Sequence, residues 1–267
     1  MYSTNKTWLK VQKYIEREAW VDAFPLLKNL KKIYSAEAEI EHLYIKTQFV
    51  IGEGDILSLK KACEKYPLYL PLHRDLVALL LHSEEIDEAR EKALQNFQDF
   101  GENSELWTDY GVIFRYMNRY IQAENCYQRA ISLNRDSEFA WFNWANLVFE
   151  QGDLSKAEQL YLRVIRINAK NIEGWVQLII CTYTTKEYLI AYRYVQEAKK
   201  RGGELAIFFY WESRIQLRRE KDEEAKFAIH QALKNGNKKI FWEQLIVLLR
   251  REGKDILEAE YLLNMAE

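Results

Sequence analysis

Proline, glycine and long hydrophobic runs are scarce in this sequence. Its 267 residues include 3 prolines and 10 glycines, which is typical of a nearly all-helical chain with short turns. The longest apolar runs, such as 76–81 and 245–249, are far shorter than the ~20 residues of a membrane-spanning helix. No apolar run follows the charge at Lys6, so we expect no secretory signal. We therefore predict a cytoplasmic protein that does not associate with membranes.

Neither sign of charge dominates. The net charge of −2 and the pI near 6.2 give no electrostatic reason to expect nucleic-acid binding. Cys63, Cys126 and Cys181 are scattered and odd in number, so we expect reduced, buried thiols rather than a disulfide framework. The four histidines show no metal-ligand spacing. We therefore expect no metal and no cofactor.

What the sequence does contain is a period of 34 residues. Trp107, Trp141 and Trp175 are spaced by that interval. Small residues keep the same register in an unbroken ladder of alanines at positions 89, 123, 157, 191, 225 and 259. Self-similarity at a fixed period of 20 to 50 residues is the signature of a stacked repeat array.

The best-formed block resembles the tetratricopeptide repeat (TPR) family. It places Trp107, Tyr110, Gly111 and Phe114 on one helical stripe, and a second stripe follows with Tyr120, Ala123, Tyr127 and Ala130. The resemblance implies an all-α, right-handed superhelical solenoid of antiparallel helix pairs. The length allows about eight such repeats.

Within each repeat we number residues so that the tryptophan is position 4 and the laddered alanine is position 20. Positions 4, 7, 8 and 11 then form the expected core face of the first helix. Gly111 and Ala123 are small because the two helices cross there, and a larger side chain would push the backbones apart. Gly152-Asp153 is typical of a turn that is followed by the N-cap of the next helix.

We divide the array into three stretches. Residues 1–103 contain degenerate TPR-like repeats, 104–205 the well-formed repeats and 206–267 further TPR-like repeats, in one continuous array. The proline usual in the family at position 32 is absent, and those places hold Gly101, Arg135, Ala169, Gly203 and Asn237. The family usually ends in an extra polar capping helix, and we expect none after the last repeat here. We therefore hypothesise self-association through that end, motivated by Leu257, Leu262 and Leu263.

One stretch resembles a catalytic motif. His73-Arg74-Asp75-Leu76 matches the start of a protein-kinase catalytic loop, but the asparagine that should follow to hold metal is missing. No glycine-rich loop or lysine-bearing strand accompanies it. We interpret the match as chance and predict that the protein is not an enzyme.

Positions 2, 6, 9 and 13 should face away from the core and line up in columns along the concave wall, the usual peptide groove of the resembling family. Aromatic and amide side chains on that face favour recognition of an extended protein or peptide segment. Arg214 and Arg218 could take an acidic side chain at one end. The predicted binding residues are Asp109, Tyr116, Phe139, Phe142, Asn143, Asn146, Gln177, Trp211, Arg214 and Arg218.

Other functions within this fold stay open at this stage. The carboxylate clamp of chaperone-binding TPR domains is disfavoured, because only Asn143 fits and Thr108, Val112, Glu173 and Gln177 occupy the other places. Our first prediction is a non-catalytic scaffold or adaptor for a protein partner. The alternatives are a peptide-sensing regulator, a substrate-recruiting subunit of a modifying enzyme such as a glycosyltransferase, and a purely structural role in homo-oligomers.

Overall fold

The computed structural model describes residues 5–17, 19–236, 238–253 and 256–266. These residues form sixteen α-helices and no strand. The helices are α1 (Lys6–Ile15), α2 (Trp20–Ile33), α3 (Ala38–Val50), α4 (Ile56–Lys65), α5 (Leu70–His82), α6 (Ile86–Phe100), α7 (Ser104–Tyr116), α8 (Tyr120–Leu133), α9 (Glu138–Glu150), α10 (Leu154–Ile167), α11 (Ile172–Thr184), α12 (Tyr188–Gly202), α13 (Ala206–Arg218), α14 (Asp222–Asn235), α15 (Lys239–Arg251) and α16 (Leu257–Met265). In the part of the chain so described, no helix is both long and apolar enough to cross a membrane.

The chain divides into two compact units, residues 1–126 and 127–267. In the first unit, consecutive helices from α1 to α7 pack against one another, and α5 also contacts α7. In the second unit, α9 to α16 pack in the same way, and α13 contacts both α11 and α15. Each unit is therefore a stack of helix pairs, in which α5, α11 and α13 also touch the first helix of the next pair.

The alanine ladder marks tight packing, as predicted. Ala89, Ala123, Ala157, Ala191 and Ala225 are fully buried, and Ala259 is buried. A side chain longer than a methyl group would find no space at such a site, because protein interiors are close-packed. The equal spacing of these alanines thus reflects the same close approach of helices in successive repeats.

The backbone conformation of the turn inside each pair also repeats, although the residue type at that position does not. Position 15 adopts a positive φ in five successive pairs, at Glu84, Asn118, Gly152, Lys186 and Glu220, with φ between 58° and 84°. A left-handed residue ends the first helix so that the chain can reverse. The predicted stop at Gly152 is confirmed, and Asp153 accepts a hydrogen bond from Lys156 N as the cap of α10.

The buried stripe of each first helix is wider than predicted. Trp107 and Trp141 are only half-buried, while Leu106 and Ile113, at positions 3 and 10, are completely buried. The same two positions are buried in the next repeats as Ala140 with Leu147, Gly174 with Cys181, and Phe208 with Ile215. Neighbouring helices cover a first helix from both sides of the stack. Its buried face is therefore wider than the predicted stripe of positions 4, 7, 8 and 11.

The tryptophans at position 4 have a specific polar role. Trp141 Nε1 donates to the Arg135 carbonyl at 2.9 Å, and Trp175 Nε1 donates to the Ala169 carbonyl at 3.0 Å. Both acceptors occupy position 32 of the preceding repeat, where the family usually has proline. The indole therefore fixes the loop between repeats through a carbonyl that any residue provides. Asn237, which was assigned to the same position 32 in a later repeat, lies outside the described residues.

Candidate functional site

In the first unit, the predicted binding residue Asp109 is used inside the stack. Arg74 of α5 donates to both carboxylate oxygens of Asp109 on α7, at 2.6 and 2.9 Å, and reaches Glu105 at 2.8 Å. Burial raises the pKa of the Asp109 carboxyl, and the ion pair with Arg74 opposes that shift. Asp109 therefore joins two neighbouring first helices.

The kinase-like stretch lies in the same helix and makes similar contacts. Asp75 Oδ2 lies 2.7 Å from Nε2 of His42 on α3. His73 is buried, contacts the ring of Phe100 edge-on and hydrogen-bonds the Tyr66 carbonyl. These side chains thus tie helices of the stack together. Tyr116, the other predicted binding residue of this unit, is exposed at the end of α7.

In the second unit, three predicted binding residues line one cavity of about 350 Å³. We call it the acidic cavity, and its lining residues are Glu138, Phe139, Phe142, Asn143, Asn171 and Glu173. Phe139 is half exposed, whereas Asn143 is 6% exposed. The cavity opens between the N-terminal part of α9 and that of α11.

Three further predicted residues, Trp211, Arg214 and Arg218, gather with two tyrosines that were not predicted. We call this group the arginine–aromatic cluster: Tyr183, Tyr210, Trp211, Arg214 and Arg218. The guanidinium carbon of Arg214 lies 5.0 Å from the centre of the Tyr183 ring and 4.9 Å from that of Trp211. The ring of Tyr210 is 5.7 Å away, and its hydroxyl accepts a hydrogen bond of 3.2 Å from Arg214 Nη1. Each such cation–π contact contributes about 0.5–2 kcal/mol, depending on burial.

The rings of this cluster support one another. Tyr183 meets Trp211 edge-on with ring centres 5.6 Å apart, and Trp211 meets Tyr210 at the same distance. Arg218 Nε donates to the Tyr183 hydroxyl at 3.0 Å and is itself exposed. Trp211 is only 8% exposed, so the prediction of an exposed indole there is wrong. Its indole instead packs against the guanidinium group of Arg214 and the ring of Tyr183.

The remaining predicted residues lie near these two sites. Asn146 accepts a hydrogen bond of 2.6 Å from the hydroxyl of buried Tyr161, whose ring also meets Phe142 edge-on. Gln177 is half-buried on α11, the helix that contributes to both the acidic cavity and the cluster. The amide of Asn146 is therefore engaged in packing between helices.

Sequence reasoning missed Tyr183, Tyr210, Glu138 and Asn171. Tyr183 lies one turn after Ile180, a position-9 residue on the predicted face, so helical spacing could have found it. Asn171 precedes α11 and accepts from Gly174 N as its cap. An asparagine at that position indicates the start of a helix. Its hydrogen bond to Glu138 depends on a tertiary contact that the sequence does not show.

The apolar residues behind the predicted self-association lie on α16. Leu257 is exposed, and Leu262 lines a cavity of about 430 Å³ together with Trp242, Leu245 and Leu249. Self-association through this helix stays a prediction, which the molar mass in light scattering at high concentration would test. Among the described residues, no three histidine, cysteine or carboxylate side chains gather as metal ligands would.

These features define a class of protein: an all-α array of stacked helix pairs with side-chain clusters between successive first helices. A family model described as tetratricopeptide repeat matches residues 104–137. The tetratricopeptide repeat-containing protein trd-1 of Caenorhabditis elegans is 23% identical over 135 residues, which make up 49% of this chain and 18% of that protein.

Solved structures show the same fold over most of the chain. Yeast Tom70 matches with a TM-score of 0.68 and 15% identity, over 92% of this chain and 54% of that one. A chain of the APC/C hetero-tetramer Cut9-Hcn1 matches with a TM-score of 0.63 and 16% identity, over 90% and 48%. This chain thus spans about half the length of those two. The predicted resemblance to the tetratricopeptide repeat family is confirmed, by the family model over residues 104–137 and by the shared fold.

Proposed function

We propose that this protein is a non-catalytic scaffold that holds a partner protein, and that its second unit binds an extended segment of that partner. The observation that carries the proposal is the arginine–aromatic cluster. Arg214 is fixed among three aromatic rings, and Arg218 beside it is exposed and oriented by Tyr183. One structural neighbour is part of a hetero-tetramer, which supports a role of this fold within protein assemblies.

The chemistry of the cluster favours an acidic side chain. A guanidinium group forms paired, charge-assisted hydrogen bonds with a carboxylate. Side chains that are already held in one conformation lose little entropy on binding, so more of the interaction energy appears as affinity. Two adjacent arginines with aromatic support are therefore suited to an aspartate or glutamate in the bound segment.

The proposal is tested by capturing partners from the cell extract with the wild-type chain and with Arg214→Gln/Arg218→Gln. The control is Arg166→Gln/Arg193→Gln, which removes the same charge from exposed positions on α10 and α12. We expect the cluster variant to lose specific partners that both the wild type and the control retain. An identical set of captured proteins for all three chains would contradict the proposal.

A further inference from the structure

The side chains around the acidic cavity present hydrogen-bond acceptors and aromatic rings to a ligand. Glu138 and Glu173 provide two carboxylates, and Phe139 and Phe142 provide aromatic rings. The Asn171 side chain is already engaged at both ends, because its amide nitrogen donates to Glu138 and its oxygen accepts from Gly174 N. Asn171 therefore keeps one amide hydrogen, and the acceptors that the lining still offers depend on the orientation of Asn143.

The orientation of Asn143 is fixed by its helix. Its Nδ2 donates to the Phe139 carbonyl at 2.8 Å. A carbonyl can only accept, so the atom beside it must be the amide nitrogen and the other atom must be the oxygen. That oxygen has no hydrogen-bond partner among the described residues, on a side chain that is 6% exposed and lines the cavity. An acceptor without a protein partner, on a side chain that is otherwise buried, can accept a hydrogen bond from a ligand in the cavity.

Glu138 is held in a similar way. Asn168 and Asn171 both donate to its Oε1, the first at 3.1 Å. Oε2 has no hydrogen-bond partner within the described part of the chain and is left as an acceptor. Glu173 is exposed in the first turn of α11 and adds a second negative charge.

The charge balance at the cavity is negative. The N-terminal ends of α9 and α11 each contribute about +0.5 of an elementary charge. The two full carboxylate charges of Glu138 and Glu173 exceed this sum. The cavity therefore attracts cations, and the rings of Phe139 and Phe142 would stabilise a cation further.

We propose that the acidic cavity binds a basic side chain, lysine or arginine, of the same partner segment whose acidic side chain the arginine–aromatic cluster holds. This inference rests on the proposed function. An ammonium or guanidinium group has only donors, so it matches the acceptors of Asn143, Glu138 and Glu173. The segment is therefore bipolar, with its basic residue at α9 and its acidic residue at α13.

The geometry of the repeats sets the spacing of the two charges. The cavity lies between α9 and α11 and the cluster between α11 and α13, one helix spacing of about 10 Å away. The cluster also lies about six residues further along its helices, which adds about 9 Å along their axes. The combined separation of about 13 Å corresponds to about four residues of extended chain.

The test is a selection of random 12-residue segments, displayed on phage, against the purified full chain. The variants are Glu138→Gln/Glu173→Gln, which keeps the acceptor for Asn168 and Asn171, and Arg214→Gln/Arg218→Gln. Glu187→Gln/Glu204→Gln removes equal charge from exposed positions of the same unit and is the control. Circular dichroism and the thermal midpoint show that each variant is folded.

We expect the wild type and the control to select segments with a lysine or arginine about four residues from an aspartate or glutamate. Glu138→Gln/Glu173→Gln should lose the basic preference only, and a synthetic selected segment should bind it about tenfold more weakly, as for one lost charge-assisted hydrogen bond. Arg214→Gln/Arg218→Gln should lose the acidic preference only.

The two proposals fail in different ways. Acidic segments selected without any basic preference, or a basic preference that survives in Glu138→Gln/Glu173→Gln, would overturn the inference about the cavity. A basic preference that depends on the cavity, with no effect of Arg214→Gln/Arg218→Gln, would support the cavity and overturn the cluster. Failure to select any segment would overturn both.

Discussion

Arg74 on α5 and Asp109 on α7 form a two-point ion pair between the first helices of neighbouring repeats. Nε and Nη2 of Arg74 meet Oδ2 and Oδ1 of Asp109 at 2.6 and 2.9 Å, and both side chains are largely buried, with exposures of 22% and 12%. Such a pair is strongly directional because the planar guanidinium matches the carboxylate. We expect it to fix the register of the stack more than it adds net stability.

Removing only the arginine should therefore be costly. Arg74→Met leaves the Asp109 carboxylate without its main partner, and we expect the free energy of unfolding to fall by about 2–4 kcal/mol, less than for a wholly buried pair. Burial then raises the pKa of Asp109 without opposition. A raised pKa contributes stability below the unfolded value that is lost as pH rises through the folded value, so the deficit should grow from acid to neutral pH.

Urea denaturation followed by circular dichroism at several pH values measures this deficit. Arg74→Met/Asp109→Leu is the informative comparison, because it removes both charges and should recover most of the stability. A single variant as stable as the wild type, or a double variant that is less stable than the single one, would show that the pair does not act in this way.

The fold could be predicted from sequence because one spatial constraint recurs at equal intervals. Ala157 and Ala191 are fully buried where a period of 34 residues places them, since close helix contact excludes larger side chains at each step. The turns were less predictable. Lys186 and Glu220 adopt positive φ without being glycine, and the context of the two flanking helices imposes that conformation.

The candidate site was predictable only in part, because a face that points away from its own repeat can still be covered by the next one. Asp109 and Asn146 lie on the predicted face but are engaged by Arg74 and Tyr161. Phe139 stays half exposed on the same face. Helical spacing gives the direction of a side chain, whereas its partner in the neighbouring repeat depends on how the repeats stack.

The turn at Lys186 stores strain that a substitution can release. Lys186 has φ of 64° between α11 and α12, and its side chain is exposed. A left-handed conformation costs a non-glycine residue roughly 1–2 kcal/mol, and glycine avoids this at some expense of chain entropy. We expect Lys186→Gly to raise the free energy of unfolding by about 0.5–1 kcal/mol in urea denaturation.

The matched control for that turn is Arg193→Gly, an exposed position inside α12. Glycine there should lower the free energy of unfolding by about 1 kcal/mol, because it weakens a helix interior. Opposite signs for the two substitutions are the expected outcome. Destabilisation by both would mean that the turn at Lys186 carries no releasable strain.

Because the three thiols are buried, we expect the free energy of unfolding to fall at alkaline pH. Burial raises the pKa of Cys126 and of Cys181 to about 12, and that of Cys63 to about 11. The unfolded chain ionises its thiols at a pH of about 8.5, so the stabilising contribution is present below that value and is lost as pH rises toward 11 or 12. Cys181→Ala should flatten this decline in denaturation curves measured between pH 8 and 11 (about the range where the unfolded thiol titrates).

The same thiols should be chemically inert in the folded protein. A disulfide reagent at neutral pH should label Cys126 and Cys181 only after denaturant is added, since the thiolate is the reactive species. Rapid labelling of either residue in the native protein would contradict their burial. An unchanged alkaline decline in Cys181→Ala would show that another group causes it.

The Tyr183 hydroxyl should orient the Arg218 side chain without contributing measurably to the free energy of unfolding. Tyr183→Phe keeps the ring that faces Trp211 and Arg214 but removes the hydroxyl that accepts the bond from Arg218 Nε. Because Arg218 is exposed, we expect the free energy of unfolding to change by less than about 0.5 kcal/mol. The Arg218 side chain should instead become mobile, and its ¹⁵Nε heteronuclear NOE should fall while that of Arg214 stays high. Tyr188→Phe, which alters a neighbouring phenol and leaves the Tyr183 hydroxyl in place, should change neither signal; a rigid Arg218 in Tyr183→Phe would mean that the hydroxyl does not orient it.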